Sequence, residues 1–321
     1  MKLLSQSKIA PKLWFAVLGA LFLSACATAP LQYTEVLGES SPYQHTVELE
    51  DTPFFPQAEF QCGPAALATM LHVSGVDDAD PDILTEQVYL PERRGSLQME
   101  LLGATRRADR VPYVIAPNVE SLLIELYAGN PVLILQNLGL PRWPVWHYAV
   151  VIGIDPLREE VILRSGTTER EVLPLRRFER TWQMSDYWGL VITQPGQIPI
   201  SADPLRYFEA VAPLEQQQRF EAASMAYEAA IERWPDEATP WIGLGNIAYS
   251  REHYADAETY YYQATELAPE YAPVFYNLAW ALLRQNKQES ARQAAAYAQQ
   301  LAPEHPRFGQ ALTAIEQALS E

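Results

Sequence analysis

The chain reads as an α+β domain followed by an all-α stack, and three observations predict it. First, helical apolar runs between residues 62 and 128 give way to strand-like runs between 131 and 193. Second, a Pro/Gly connection at Gln194-Pro195-Gly196-Gln197-Ile198-Pro199 leads into an alanine-rich, helical C-terminal region. Third, Pro235, Pro269 and Pro303 stand 34 residues apart, each closing a helical run such as Glu266-Leu267-Ala268-Pro269.

From the N-terminus, Lys2, Lys8 and Lys12 precede a short apolar stretch, Leu13 to Leu23. That length suits a signal peptide better than a membrane span, which needs roughly 20 apolar residues. Leu23-Ser24-Ala25-Cys26 then resembles the bacterial lipobox. The resemblance implies removal of residues 1–25, lipid on Cys26 and, with Ala27 following, an outer-membrane destination facing the periplasm. Residues 26–50 contain Pro30, Ser40, Ser41 and Pro42 without sustained periodicity, so they read as a lipidated tether. The formal charge of −17 argues against nucleic acid and against an electrostatic grip on anionic lipid. The N-terminal lipid alone would hold the membrane.

Two cysteines are present, and the lipid takes Cys26. Cys62 is then a solitary thiol in an oxidising compartment, a setting in which free cysteines are avoided or used. Phe60-Gln61-Cys62-Gly63-Pro64-Ala65-Ala66-Leu67 places it where a loop becomes a helix, with Gln57 upstream. A helix N-terminus offers unpaired N–H groups that favour thiolate near neutral pH. Eighty-five residues later His147 opens the strand-like run Tyr148-Ala149-Val150-Val151-Ile152-Gly153. Cysteine, distant histidine and upstream amide are the parts of a papain-like thiol hydrolase. A buried, inert Cys62 is the competing reading.

Between residues 51 and 194 the expected order is helices after Cys62, over Ile83–Leu90, Met99–Ala108 and Asn118–Ala128. Strands are expected over Val111–Ile115, Pro131–Gln136, Tyr148–Ile154, Val161–Arg164 and Gly189–Thr193. Gln57…Cys62-Gly63-Pro64-Ala65-Ala66-Leu67 with His147-Tyr148-Ala149-Val150-Val151-Ile152-Gly153 resembles the bacteriocin-leader (double-glycine) cysteine peptidase family, a papain-like fold. The resemblance implies Cys62 as nucleophile, His147 as general base and then acid, and Gln57 with the Cys62 backbone N–H as oxyanion donors. Gln61 is a rival donor.

The departure from the family is at the third position. Its members follow the histidine strand with a return ending in Asp-Pro, whereas this return is Val161-Ile162-Leu163-Arg164-Ser165-Gly166-Thr167. A turn at 155–160 brings Ser165 to the orienting position, where it fixes the tautomer but stabilises imidazolium less than a carboxylate does. Asp155 stands eight residues past His147, too far at about 3.3 Å per strand residue. Asp186 is left as a remote candidate. Trp143, Trp146 and Tyr148 read as cleft walls or as rim and core aromatics.

The 34-residue period resembles the tetratricopeptide repeat, with Trp241, Leu244, Gly245, Ala257, Tyr261, Ala264 and Pro269 in the middle unit. After a linker at 195–202, the region 203–321 divides into about 204–237, 238–271 and 272–305, with a capping helix from Phe308 to Leu319. Such stacks bind a protein or peptide partner. Asn246 and Asn277 fall at groove-facing positions that hydrogen-bond a ligand backbone; solvated surface amides are the alternative. Ile242 stands where the carboxylate-clamp pattern has lysine.

His45, His72, His253 and His305 have no metal-ligand spacing, and the glycines form no phosphate-binding pattern, so neither metal nor cofactor is expected. Two functional readings follow: a lipid-anchored periplasmic cysteine peptidase acting on a peptide or protein substrate, or a non-catalytic scaffold on a decayed peptidase fold.

Overall fold

The computed structural model describes residues 30–57 and 60–320; Cys26, the signal peptide and the start of the tether lie outside them. A seven-stranded antiparallel sheet organises the first half. The strands are β1 (Val47–Glu48), β2 (Val111–Val114), β3 (Val132–Asn137), β4 (Trp146–Asp155), β5 (Glu160–Ser165), β6 (Thr168–Pro174) and β7 (Gly189–Thr193). Their order is β2-β7-β3-β4-β5-β6, and β1 pairs with β4.

Both faces of this sheet are covered, which is why β4 reads as a continuous apolar run. Side chains alternate along a strand. Tyr148, Val150 and Ile152 therefore face one layer, made of α2 (Cys62–Val73), α3 (Pro81–Val88) and α4 (Gln98–Arg107). Ala149 and Val151 face the other, made of α5 (Val119–Tyr127) and α6 (Leu175–Trp182). Helix α2 is buried almost all round, Gly63 through Leu71 without interruption. Helix starts are set locally: Asp80 caps α3 through the Asp82 N–H, and Asn118 caps α5 through the Ser121 N–H.

Residues 31–50 are not a free tether. A short helix, α1 (Tyr33–Val36), docks on the α6 side, where the buried carboxylate of Glu179 accepts from the N–H groups of Gln32 (2.6 Å) and Tyr33 (3.0 Å). Gln32 in turn accepts from the Val119 N–H, and the Tyr127 hydroxyl donates to His45 O. These partners lie more than eighty residues away in the chain, so no local periodicity announces them. The connection at 195–202 is likewise packed. Pro195 and Pro199 are buried, Glu125 accepts from the Ser201 N–H, and Tyr113 donates to Ser201 O and accepts from the Asp203 N–H.

Seven helices follow: α7 (Pro204–Gln216), α8 (Phe220–Arg233), α9 (Thr239–Ser250), α10 (Tyr254–Leu267), α11 (Ala272–Leu283), α12 (Gln288–Leu301) and α13 (Pro306–Ser320). Trp234, Ala268 and Ala302 end α8, α10 and α12 in near-identical extended geometry (φ −131 to −140°, ψ 65 to 72°). Each precedes a proline, whose ring excludes the helical conformation for the residue before it. A Cβ on Gly245 would sit 2.5 Å from the Tyr261 ring, so the residue must be glycine for α9 and α10 to close. The first pair does not stand apart from the sheet. Tyr207, Val211 and Leu214 of α7 share one core with Val111, Tyr113 and Val191 of β2 and β7. Four of these elements had no signal in the sequence: α1 and β1 inside the expected tether, strand β6 and helix α6; β6 is an exposed edge strand and α6 is arginine-rich on its open face.

Candidate active site

Helix α2 begins at Cys62, with Gln61 as its N-cap. Pro64 has no N–H, so Cys62 and Gly63 carry the unpaired donors of this first turn. Strand β4 runs past it, and its Tyr148 packs in the same layer as α2. The loop after β5 brings Ser165 and Gly166 to the same place. A small pocket of about 10 Å³, room for roughly one water-sized group, is lined by Gln57, Cys62, Ser165 and Gly166 together with Phe54 and Phe55. Gln57 is held there by its backbone N–H, which donates to Gly166 O at 3.2 Å.

Ser165 Oγ lies 3.0 Å from His147 Nε2, and the serine is 9% exposed. The turn at 155–160 and the β4/β5 register, with Val150 opposite Arg164, carry Ser165 back toward His147. With Nε2–H donating to Ser165, Nδ1 keeps its lone pair and is the atom left to take a proton. Among the described residues no hydrogen bond joins the imidazole to the thiol. Asp155 caps the far turn through the N–H groups of Leu157 and Arg158. Asp186 lines a wider cleft that also opens on Cys62. Glu171 of β6 is the acid whose charge reaches the imidazole.

The electrostatics differ from the sequence expectation of a thiolate. Burial pushes the Cys62 thiol up, outweighing the backbone N–H groups of Tyr148, Gly63 and Cys62 that favour its anion. Burial also pushes the His147 imidazole down, against the pull of Glu171. Both shifts favour the neutral forms, so this pair rests as thiol and imidazole.

The C-terminal half carries a second constellation. Asn246 donates to Glu215 (2.9 Å) and accepts from the Tyr261 hydroxyl (2.8 Å) and from Asn277 Nδ2 (3.2 Å). Tyr227 donates to the other oxygen of Glu215 at 2.8 Å. These residues form a ladder across successive helices from α7 to α11, so Asn246 is spent on its neighbours and neither amide is freely solvated. Burial raises the Glu215 carboxyl, and hydrogen bonds from Tyr227 and Asn246 act against that. Asn277 borders a cavity of about 250 Å³ with Tyr249, Tyr261, Tyr276 and Trp280. Replacing Asn246 by alanine is expected to destabilise the chain by about 1–3 kcal/mol, because it strips a donor from a half-buried carboxylate. Urea titration would show it; unchanged stability would mean that the ladder is solvated.

A family model described as tetratricopeptide repeat matches residues 214–272 and 242–306. The C-terminal half is a tetratricopeptide-repeat stack. The chain is 35% identical over 66 residues to the Protein O-mannosyl-transferase TMTC1 of Mus musculus; the match spans 21% of this chain and only 7% of that relative's length. Among solved structures, the first tetratricopeptide domain of Spaghetti (RPAP3) bound to an HSP90 peptide is 20% identical, covering 36% of this chain and 93% of that one, with a TM-score of 0.35. A putative C39-like peptidase from Bacillus anthracis is also 20% identical, covering 47% of this chain and 98% of that one, with a TM-score of 0.39. The order of the first half, a buried helix opening on a cysteine and then an antiparallel sheet carrying the histidine, is the α+β arrangement that the papain-like resemblance implies.

Proposed function

We propose that the chain is a cysteine peptidase that cleaves peptide bonds through Cys62 and His147, with its repeats recruiting a protein or peptide partner. The observation that carries this reading is the sharing of one water-sized pocket by Cys62, Gln57 and Ser165, with Ser165 holding the imidazole. Attack by the thiol Sγ on a carbonyl passes the thiol proton to His147 Nδ1. The carbonyl oxygen then collects charge beside the Gln57 amide and the Cys62 N–H, donors fixed before the charge develops. The imidazolium returns its proton to the leaving amine, and water attacks the acyl-enzyme with His147 again as base.

A second reading, a non-catalytic scaffold, is favoured by the neutral Ser165 at the third position and by the absence of an imidazole–thiol hydrogen bond. Iodoacetamide and a peptide substrate separate the two across pH. A neutral pair makes alkylation rise only above the free-thiol range, about 8.5. Hydrolysis is expected to persist well below that pH and to fall off only where the lowered imidazole pKa is crossed and His147 gains its proton. No hydrolysis at any pH, with the same alkaline alkylation profile, would leave the scaffold reading.

The lipobox resemblance adds an envelope location, with lipid on Cys26 as anchor and the domains facing the periplasm. Among the described residues no helix is long and apolar enough to cross a membrane. Cys26→Ser is expected to release the protein from the membrane fraction. Retention of that variant after a salt wash would assign the hold to a protein partner.

A further inference from the structure

The cleft beside Cys62 has a chemistry of its own. It encloses about 810 Å³, within the range of roughly 300–1,000 Å³ over which ligand sites occur. Phe60 and Leu97 line it with Val145 and Trp146, and each of these four side chains is between 43% and 58% exposed. Large apolar groups gathered open-faced around a nucleophile mark a surface awaiting a partner.

Val145 and Trp146 are presented by a braced hairpin between β3 and β4. The Asn137 side chain, 3% exposed, accepts at 2.9 Å from the N–H groups of both Gly139 and Val145. Leu138 N–H donates to Val145 O at 2.8 Å, and a Cβ on Gly139 would meet Trp143 O at 2.4 Å. The wall is therefore fixed before any ligand arrives, which lowers the ordering cost of binding.

Arg93 and Arg94 border the same cleft. Neither has an ion-pair partner among the described residues, and the Arg94 guanidinium lies 6.0 Å from the Phe60 ring centroid. Among the described lining residues Asp186 is the acid, against two arginines on a chain of charge −17.

We propose that this cleft selects a polypeptide segment with a large apolar side chain next to a carboxylate, and not a pair of glycines. The proposal rests on the peptidase reading for its chemistry and on the cleft for its selectivity. Two glycines have no side chain to fill the volume, so the four apolar walls would stay wet. A phenylalanine or leucine removes that surface from water, and a neighbouring Asp or Glu meets the arginines.

The test uses the full chain and quenched peptides of alanine and glutamine that differ at one site. That site carries Phe-Glu, Phe-Lys or Gly-Gly. The expected kcat/KM for Phe-Glu exceeds both others by at least about tenfold. Trp146→Ala should erase the preference for Phe over Gly-Gly, and the exposed pair Arg93→Gln with Arg94→Gln should erase that for Glu over Lys. Gly-Gly cleaved as fast as Phe-Glu overturns the proposal and leaves the peptidase reading standing. If nothing is cleaved, the Cys62→Ala chain is titrated with the same peptides by tryptophan fluorescence. The same order of affinities then upholds the selectivity although the peptidase reading fails, and equal or absent binding overturns it. A shift of tryptophan emission by phosphatidylcholine vesicles, with none from any peptide, would make the apolar wall a membrane surface and also overturn it.

Discussion

Replacing His147 by alanine is expected to lower peptide hydrolysis by about two to four orders of magnitude, the contribution of a positioned general base. The loss should fall on kcat, because the imidazole contributes little to binding an uncharged segment of substrate. Ser165 refines the test. Its hydroxyl is the hydrogen-bond partner that fixes the ring, 3.0 Å from Nε2. Ser165→Ala should therefore reduce kcat by about twofold to tenfold, the value of one hydrogen bond of about 0.5–1.5 kcal/mol. Ser165→Asp should do the reverse. A carboxylate there stabilises the imidazolium formed during attack, and it raises the imidazole pKa, which burial now holds down. The acid limb of the pH–rate profile should then move to higher pH. Equal rates for Ser165 and its alanine variant would mean that another group orients the ring, and Glu171 is the acid placed to be tested next.

Much of this site was legible because it is written in short, local patterns. Cys62-Gly63-Pro64 states a helix start by itself, and Val161 to Arg164 after a turn at 155–160 returns to β4 in only one way. The thiol's protonation was not legible. It depends on how completely Tyr148 and the α2 layer exclude water around Cys62, a balance between burial and helix-end donors that no motif encodes. The repeat helices followed from prolines at a fixed period. The roles of Asn246 and Asn277 did not, since Glu215 and Tyr261 reach Asn246 from other helices. Strand β6 lacked a signal for another reason: five of its seven residues are exposed, so it has no apolar alternation to read.

The same blindness to distant packing hid the relation between the two halves, and it leads to the largest expected effect on stability. Read from sequence, the connection at 195–202 is a linker, which by itself would imply that a chain ending near Ile192 keeps its thiol site. In the structure, α7 lies against β2, and Tyr113, Tyr207 and Val211 are wholly buried in one continuous core. Cutting after Thr193 would expose the sheet face carrying Val111 and Tyr113. It would also remove the Ser201 N–H that the fully buried Glu125 accepts from, and both Tyr113 hydroxyl contacts. Burying a large apolar side chain is worth about 1.5–3 kcal/mol, and several are lost together against a total stability of about 5–15 kcal/mol. The truncated chain is therefore expected to aggregate or to populate an unfolded state, and the intact chain to unfold in one transition. Tyr207→Ala, a single change at the junction, should cost about 3–5 kcal/mol and lower the melting temperature seen by Cys62 alkylation as much as that seen by helical circular dichroism. Two separated melting transitions, or a soluble and folded fragment ending at Thr193, would show instead that each half folds alone and that the junction is only a contact.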